Sequence, residues 1–372
     1  FQVNTTTDSA QELPKVSVLA NGDFVVVWNS GDSFGTDGAI RGQAYHANGA
    51  KVGGEFLVNT TQGSQIGATV AALANGNFVV SWVDNSVAGD ANIKAQIFRD
   101  NGTTVAKVGA EFLVNTITAS DQDLVSVASL KGANSGGFVA AWQDNSGLNN
   151  DGTRSGSIKA QRFDASGNKV GAELLVDTKG VNFANDVANV TGLANGGFVV
   201  AWEASSNFGV DTDDSSIQLQ IFDKNGNKVG NNNGAFGTEI EVNTSATEYQ
   251  RAPVVTELSN GDIVVAWKDE SQENGDTSDY SVKAQILDPN GNRIGGEFLV
   301  NTSTVGGQQM PSIAALPNGS FIVTFTDDGV ADGQDDAVKA QIFTIGNVAE
   351  NTAVKLNLAS AVTDKDGSET LS

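Results

Sequence analysis

The 372-residue chain has no cysteine, one histidine, one methionine and only five prolines. Without cysteine there is no disulfide framework, no thiol nucleophile and no thiolate metal site. A single histidine rules out a histidine-based metal cluster. His46 itself falls at the turn position filled by Asp164, Asp223 and Asp288 elsewhere in the chain, which marks it as a turn residue and not a base. No Gly-x-Ser-x-Gly elbow is present either. Basic residues are also scarce: 21 against 44 acidic ones give a formal charge of −23. That charge repels nucleic-acid phosphates and anionic membranes and attracts cations, so nucleic acid is excluded as a partner. No apolar run approaches the ~20 residues of a membrane helix, so no membrane insertion is expected. An export signal, if the chain is exported, is expected outside these residues.

What the chain has in abundance is repetition. The second-segment motif reads FVVVW at Phe24–Trp28, FVVSW at Phe78–Trp82, FVAAW at Phe138–Trp142, FVVAW at Phe198–Trp202, IVVAW at Ile263–Trp267 and FIVTF at Phe321–Phe325. A third segment carries Gln43, Gln96, Gln161, Gln220, Gln285 and Gln341, in contexts such as IKAQIF. A last segment reads EFLVNT at Glu55–Thr60, Glu111–Thr116 and Glu297–Thr302, with ELLVDT and EIEVNT at Glu173–Thr178 and Glu239–Thr244. The period of about 60 residues holds four short strands and their turns.

Short segments rich in Val, Ile and Phe, bounded by Asn-Gly pairs such as Asn21-Gly22 and Asn260-Gly261, read as strands joined by hairpins. The FVVVW segments are apolar at every position, so each sheet must be covered on both faces. Six such sheets suit a closed ring. The sixth unit ends after Phe343 without a VNT segment, whereas the chain opens on FQVNT, Phe1–Thr5. The expectation is therefore an all-β, six-bladed β-propeller of four-stranded antiparallel blades over residues 1–346. An N-terminal strand, Phe1–Thr5, pairs beside the Gln341 strand to close it. Residues 347–372 read as a linker and the start of a following module.

The units with NG-FVV-W, an acidic loop, KAQIF and VGGEFLVNT resemble repeats of very large bacterial RTX adhesins and related secreted calcium-dependent surface proteins, over roughly Phe1–Phe343. The tail at Asp364–Glu369 resembles the start of cadherin-like or immunoglobulin-like extender modules of the same proteins. The resemblance implies type I secretion, an extracellular or bacterial cell-surface location, and a monomeric ligand-binding module within a longer adhesive chain. The G-G-x-G-x-D nonapeptides that define RTX calcium rolls are absent, so that roll does not carry over.

The loops after each aromatic are long, variable and acidic, and loops on a rigid scaffold carry function. Asp84, Asp144, Asp269 and Asp327 stand two residues after the aromatic. Asp37, Asp90, Asp214, Asp279 and Asp335 stand three before the next apolar strand residue. Carboxylates among Gly, Ser and Asn suit Ca²⁺, while Asp and Asn also simply favour turns. Trp28, Trp82, Trp142, Trp202 and Trp267 lie at the mouth of the same face, where they either stack on a ligand or pack between blades. Gln11, Gln65, Gln122, Gln250 and Gln308, with Asn185, precede the first strands and either line a ligand site or tie loop backbone together. The function this supports is a calcium-associated, lectin-like module binding a cell-surface glycan or a peptide. The alternatives are a structural spacer and a carboxylate-based glycoside hydrolase or lyase; the many similar acidic loops favour binding over one special pair, so no enzyme is expected.

Overall fold

The computed structural model describes residues 1–5, 7, 9–31, 38–87, 90–148, 154–177, 188–205, 215–230, 239–245, 247–273, 279–329, 337–345 and 356–358. Six antiparallel sheets follow one another along the chain. Blade one comprises Gln11–Val18, Phe24–Ser30, Ala39–Tyr45 and Lys51–Leu57, and blade two Gln65–Ala72, Asn77–Asp84, Asn92–Asp100 and Val105–Leu113. Blade three comprises Gln122–Ser129, Phe138–Leu148, Arg154–Phe163 and Lys169–Leu175. In blade four Asn189–Gly192, Phe198–Ser205 and Ser215–Phe222 are followed by a fourth strand in two pieces, Lys228–Val229 and Ile240–Glu241, both paired with the third strand. Blade five comprises Gln250–Glu257, Ile263–Asp269, Ser281–Leu287 and Arg293–Leu299, and blade six Gln308–Ala315, Ser320–Asp327, Ala337–Ile345 and Leu356–Leu358. The architecture is the six-bladed propeller that the repeat predicts. Among the described residues the one helical element is a 3-10 turn at Gly132–Asn134.

The second strands explain the layering. Every residue of Asn77–Asp84 is buried, because its two faces lie under different neighbours. Val79 and Val83 pack with Val125, Phe138 and Trp142 of blade three, while Phe78, Val80 and Trp82 pack with Val25, Val27 and Ile40 of blade one. Equivalent clusters join blades three to four, four to five and five to six. The hairpins on the opposite face close through Gly22, Gly76, Gly261 and Gly319, whose φ angles of +82° to +90° only glycine adopts cheaply.

The third-strand glutamines have a structural reason. The ladder between third and fourth strands slips by two residues at Gln43, Gln96, Gln161 and Gln285. There the Gln96 amide donates to Ile97 and Val108 carbonyls at 2.9 and 3.2 Å, stitching the bulge.

The N-terminal closure departs from expectation. Phe1–Thr5 forms no strand beside Gln341; the fourth strand of blade six is Leu356–Leu358, from residues assigned by sequence to the linker, and it pairs with Phe343–Ile345. Phe1 instead lies 5.1 Å from the Tyr45 ring of blade one, and Thr5 donates twice to Glu55, at 2.8 and 2.7 Å. Thr60 makes the same contacts with Glu111 of blade two. The VNT segment is therefore a connector that ties onto the blade that follows it, which is why residues 1–5 rest on blade one.

Candidate functional site

The aromatic-end residues singled out in the sequence form a complete relay in blades two and three and part of one in blades five and six. In blade two the Trp82 indole donates to Gln65 Oε1 at 2.6 Å, and the Gln65 amide donates to Asp84 Oδ1 at 2.7 Å. Lys94 Nζ lies 2.6 Å from Asp84 and 2.9 Å from Glu111, which in turn receives Thr60 of blade one. Blade three repeats it: Trp142 to Gln122 at 2.9 Å, Gln122 to Asp144 at 2.9 Å, then Lys159 between Asp144 and Glu173. Burial pushes the Asp84 and Glu111 carboxyls up, but their hydrogen bonds, Lys94 first, outweigh it and hold both below the usual carboxylate range. Burial lowers Lys94, and the two carboxylates more than reverse that, raising it above an ordinary lysine. In blade five Lys283 bridges Asp269 and Glu297 at 2.9 and 3.6 Å, and in blade six Lys339 pairs with Asp327 at 2.5 Å.

This geometry corrects the candidate ligand set. Trp82, Trp142, Trp202 and Trp267 are fully buried and Trp28 is 3% exposed, so none offers a face to a ligand. Gln65, Gln122, Gln250 and Gln308 are also buried; Gln11, half-buried, accepts from Trp28 at 2.8 Å. Asp84, Asp144, Asp269 and Asp327 hold an ammonium group where a calcium ion was expected. Asp90 accepts from Ser120 backbone at 3.1 Å, while Asp121 accepts from Ala91, so the pair clamps neighbouring loops. Asp279 is described but joins no acidic group. Asp37, Asp214, Asp335 and Asn185 lie outside the described residues. Among the described residues no three Asp, Glu or His side chains group closely enough to hold a metal ion.

Blade four breaks the relay. Ala204 stands where blades two, three, five and six have aspartate and Gln218 where they have lysine, and Trp202 Nε1 has no hydrogen-bond partner among the described residues. Beside it the strand pairing brings a different group together. Glu203, 4% exposed, lies 3.9 Å from the Arg251 Nε of blade five; Arg251 lies 3.8 Å from Glu270, and Lys268 pairs with Glu270 at 2.9 Å. Arg251 and Lys268 face each other across the first ladder of blade five. The Arg251 guanidinium sits 4.2 Å over the Tyr249 ring and the Lys268 ammonium 3.6 Å over Tyr280. On blade three, Asp123 occupies the position equivalent to Arg251, immediately after the first-strand glutamine. Burial and the neighbouring Asp121 push its carboxyl up, against a 3.2 Å hydrogen bond from Asn145.

Sequence reading missed Glu203, Arg251, Lys268, Glu270, Tyr249 and Tyr280. A signal existed: two of the three tyrosines flank blade five, and the residue after each tryptophan, neutral in Asn29, Val83 and Gln143, turns charged in Glu203 and Lys268.

No protein-family model matches the sequence, and no curated protein does. Solved structures share the fold. An α-L-arabinanase from Penicillium chrysogenum, complexed with arabinobiose, aligns at TM-score 0.50 and 17% identity over 89% of this chain and 92% of its own. An α-L-arabinofuranosidase from Fusarium graminearum, in complex with an iminosugar inhibitor, aligns at 0.50 and 12% identity over the same shares. An ulvan lyase, a polysaccharide lyase bound to GlcA(1-4)Rha3S, aligns at 0.51 and 12% identity over 92% of this chain and 80% of its own. At these identities the likeness establishes the propeller fold. It also overturns the expectation that the chain is not an enzyme: each of these three propellers is named for an activity on glycans, so the architecture gives no ground for excluding catalysis.

Proposed function

We propose that the chain is a carbohydrate-recognising propeller whose ligand lies across the loop face where blades four and five meet. The observation that carries this is the grouping of Glu203, Arg251, Lys268 and Glu270 with Tyr249 and Tyr280, beside the blade in which the relay loses both its carboxylate and its cation. Paired acids and bases give a sugar's hydroxyls both acceptors and donors, and half-exposed tyrosines offer a ring face for its C–H surface. The glycan chemistry of the three propellers that share the fold supports the same reading. A secreted, adhesin-like setting is the one we favour, on the strength of the repeat resemblance.

Cleavage of the bound glycan is the second reading, favoured by Asp123. Burial and the neighbouring Asp121 push the Asp123 carboxyl up, the direction in which a general acid is tuned. The test is a panel of arabinans, uronic-acid polysaccharides and neutral glycans, scored for retention and for new reducing or unsaturated ends. Retention of one class, reduced about tenfold or more in Arg251→Ala and Tyr280→Ala, is the expected result. Retention unchanged in both variants would remove the site, and chain cleavage abolished in Asp123→Asn would establish the second reading.

A further inference from the structure

Blades two, three, five and six each place a third-strand lysine against a second-strand aspartate, and in blade five the group is dry. The Lys94, Lys159 and Lys339 side chains are 21%, 15% and 40% exposed. Lys283 is 1% exposed, Asp269 0% and Glu297 4%. Lys283 Nζ lies 2.9 Å from Asp269 Oδ1 and 3.6 Å from Glu297 Oε1, so a primary amine and two carboxyls meet with water excluded. The donors on the aspartate differ as well. In blades two and three the first-strand glutamine amide donates to it. In blade five Gln250 donates instead to the Thr247 and Glu248 carbonyls, while Asp269 receives the Trp267 indole on Oδ2 at 3.3 Å and both the backbone N–H and the hydroxyl of Ser271 on Oδ1. Ser271 Oγ in turn accepts from Lys283 at 2.9 Å.

We infer that Lys283 and Asp269 condense after folding into an intramolecular amide, a covalent staple between the second and third strands of blade five. Trp267 pairs with Lys283 and Asp269 with Ser281, so the two side chains meet diagonally across one ladder. The ion pair described above is the state from which the bond forms. Lys283 Nζ passes a proton to Glu297 and attacks Asp269 Cγ, and the developing negative charge falls on Oδ1, where the two Ser271 donors already point. Oδ2 takes the proton from Glu297 and a second from the nitrogen and leaves as water. The Cγ–Oδ2 bond breaks as the Cγ–Nζ bond forms. One ammonium proton stays on the amide and the other two leave in the water, so no oxidant or outside reactant is needed. Packing holds the amine beside the carboxyl and so replaces a bimolecular encounter. Condensation also removes two buried charges that desolvation disfavours. In blades two, three and six the lysine stays hydrated and its ion pair persists. Lys268 belongs to the second strand and Tyr280 immediately precedes the third, so the staple fixes the ammonium-over-ring pair at the loop face.

The test is the intact mass of the chain, taken from protein that melts cooperatively, followed by denaturation and trypsin. The expected result is a mass one water below that of the sequence, no cut after Lys283, and a branched peptide joining the Asp269 and Lys283 segments that survives hydroxylamine. Lys283→Arg keeps a cation and Glu297→Gln removes the proton carrier; both are expected to show the full mass while still melting cooperatively. The full sequence mass with cleavage after Lys283 in the unaltered chain would overturn the inference. So would a water lost to a hydroxylamine-sensitive Asp-Gly succinimide, or a water loss that persists in Lys283→Arg.

Discussion

Blades two and four are built on the same strands and differ in what runs through them. In blade two a tryptophan, a glutamine, an aspartate, a lysine and a glutamate form one line from the second strand to the fourth strand and on to Thr60 of blade one. In blade four Ala204 and Gln218 end that line, the fourth strand is split, and Glu203 turns instead toward Arg251. Both blades keep a fully buried tryptophan and a buried second strand. Apolar packing therefore suffices to form a blade, and the relay is an additional polar fastening that blade four does without. A repeat that drops a fastening its neighbours retain has been released to do something else.

The largest effect that would sharpen this contrast comes from removing a lysine. Lys283 is 1% exposed between carboxylates 0% and 4% exposed, and Lys283→Met leaves both buried without their cation, a loss of about 3–5 kcal/mol. Gln218→Met, at the equivalent position of blade four, forfeits only a 3.0 Å bond to Ser216 and costs about 1 kcal/mol. Chemical denaturation of both variants would break the comparison if the two losses were equal. A smaller effect isolates the indole. Trp82→Phe and Trp202→Phe lose similar ring volume, but only the first orphans an acceptor, Gln65 Oε1, so its loss is expected to be greater by about 1–3 kcal/mol.

The smallest and most distributed effect is on pH. The Asp84, Glu111, Asp144 and Asp327 carboxyls lie below their ordinary values in the folded state. Their contribution is present above the unfolded carboxylate range and is lost as pH falls through and below about 4. Lys94 and Lys159 are raised, so their contribution is present at neutral pH and lost as pH climbs past about 10.5. A melting-temperature profile should fall at both extremes, and the acid limb should flatten in Asp84→Ala. An unchanged acid limb would show that these pairs do not set the acid limit.

The sheets were legible because the apolar columns repeat at every position that packs. The columns Phe-Val-Val-x-Trp and x-Gln-Ile-Phe state which residues are buried twice over, and no long-range information is needed to see them. The relay was not legible as such. Asp84 and Lys94 are ten positions apart, and what joins them is the second ladder, which sets Trp82 opposite Lys94. Viewed in isolation, an aspartate in a glycine-rich loop looks like a cation ligand; its lysine lies across the sheet, inside the KAQIF motif read only for its glutamine. The VNT segments misled for a related reason. They are extended and apolar like strands, yet their asparagine caps a third-strand N–H from beyond the fourth strand, so the N-terminal copy was assigned to a full strand. The Glu203 and Arg251 cluster depends on two blades meeting at the loop face, which no single repeat displays.

The threonine-to-glutamate tie recurs from Thr5 to Glu55, Thr60 to Glu111, Thr116 to Glu173 and Thr244 to Glu297. Each joint is made of one residue supplied by a unit and one supplied by the unit after it, with the same chemistry every time. Duplication or loss of a whole unit in the gene would therefore regenerate a matching joint at the new boundary. Blade number becomes a quantity that recombination can change without redesigning any surface, and a unit such as blade four can then diverge while its copies keep the array intact.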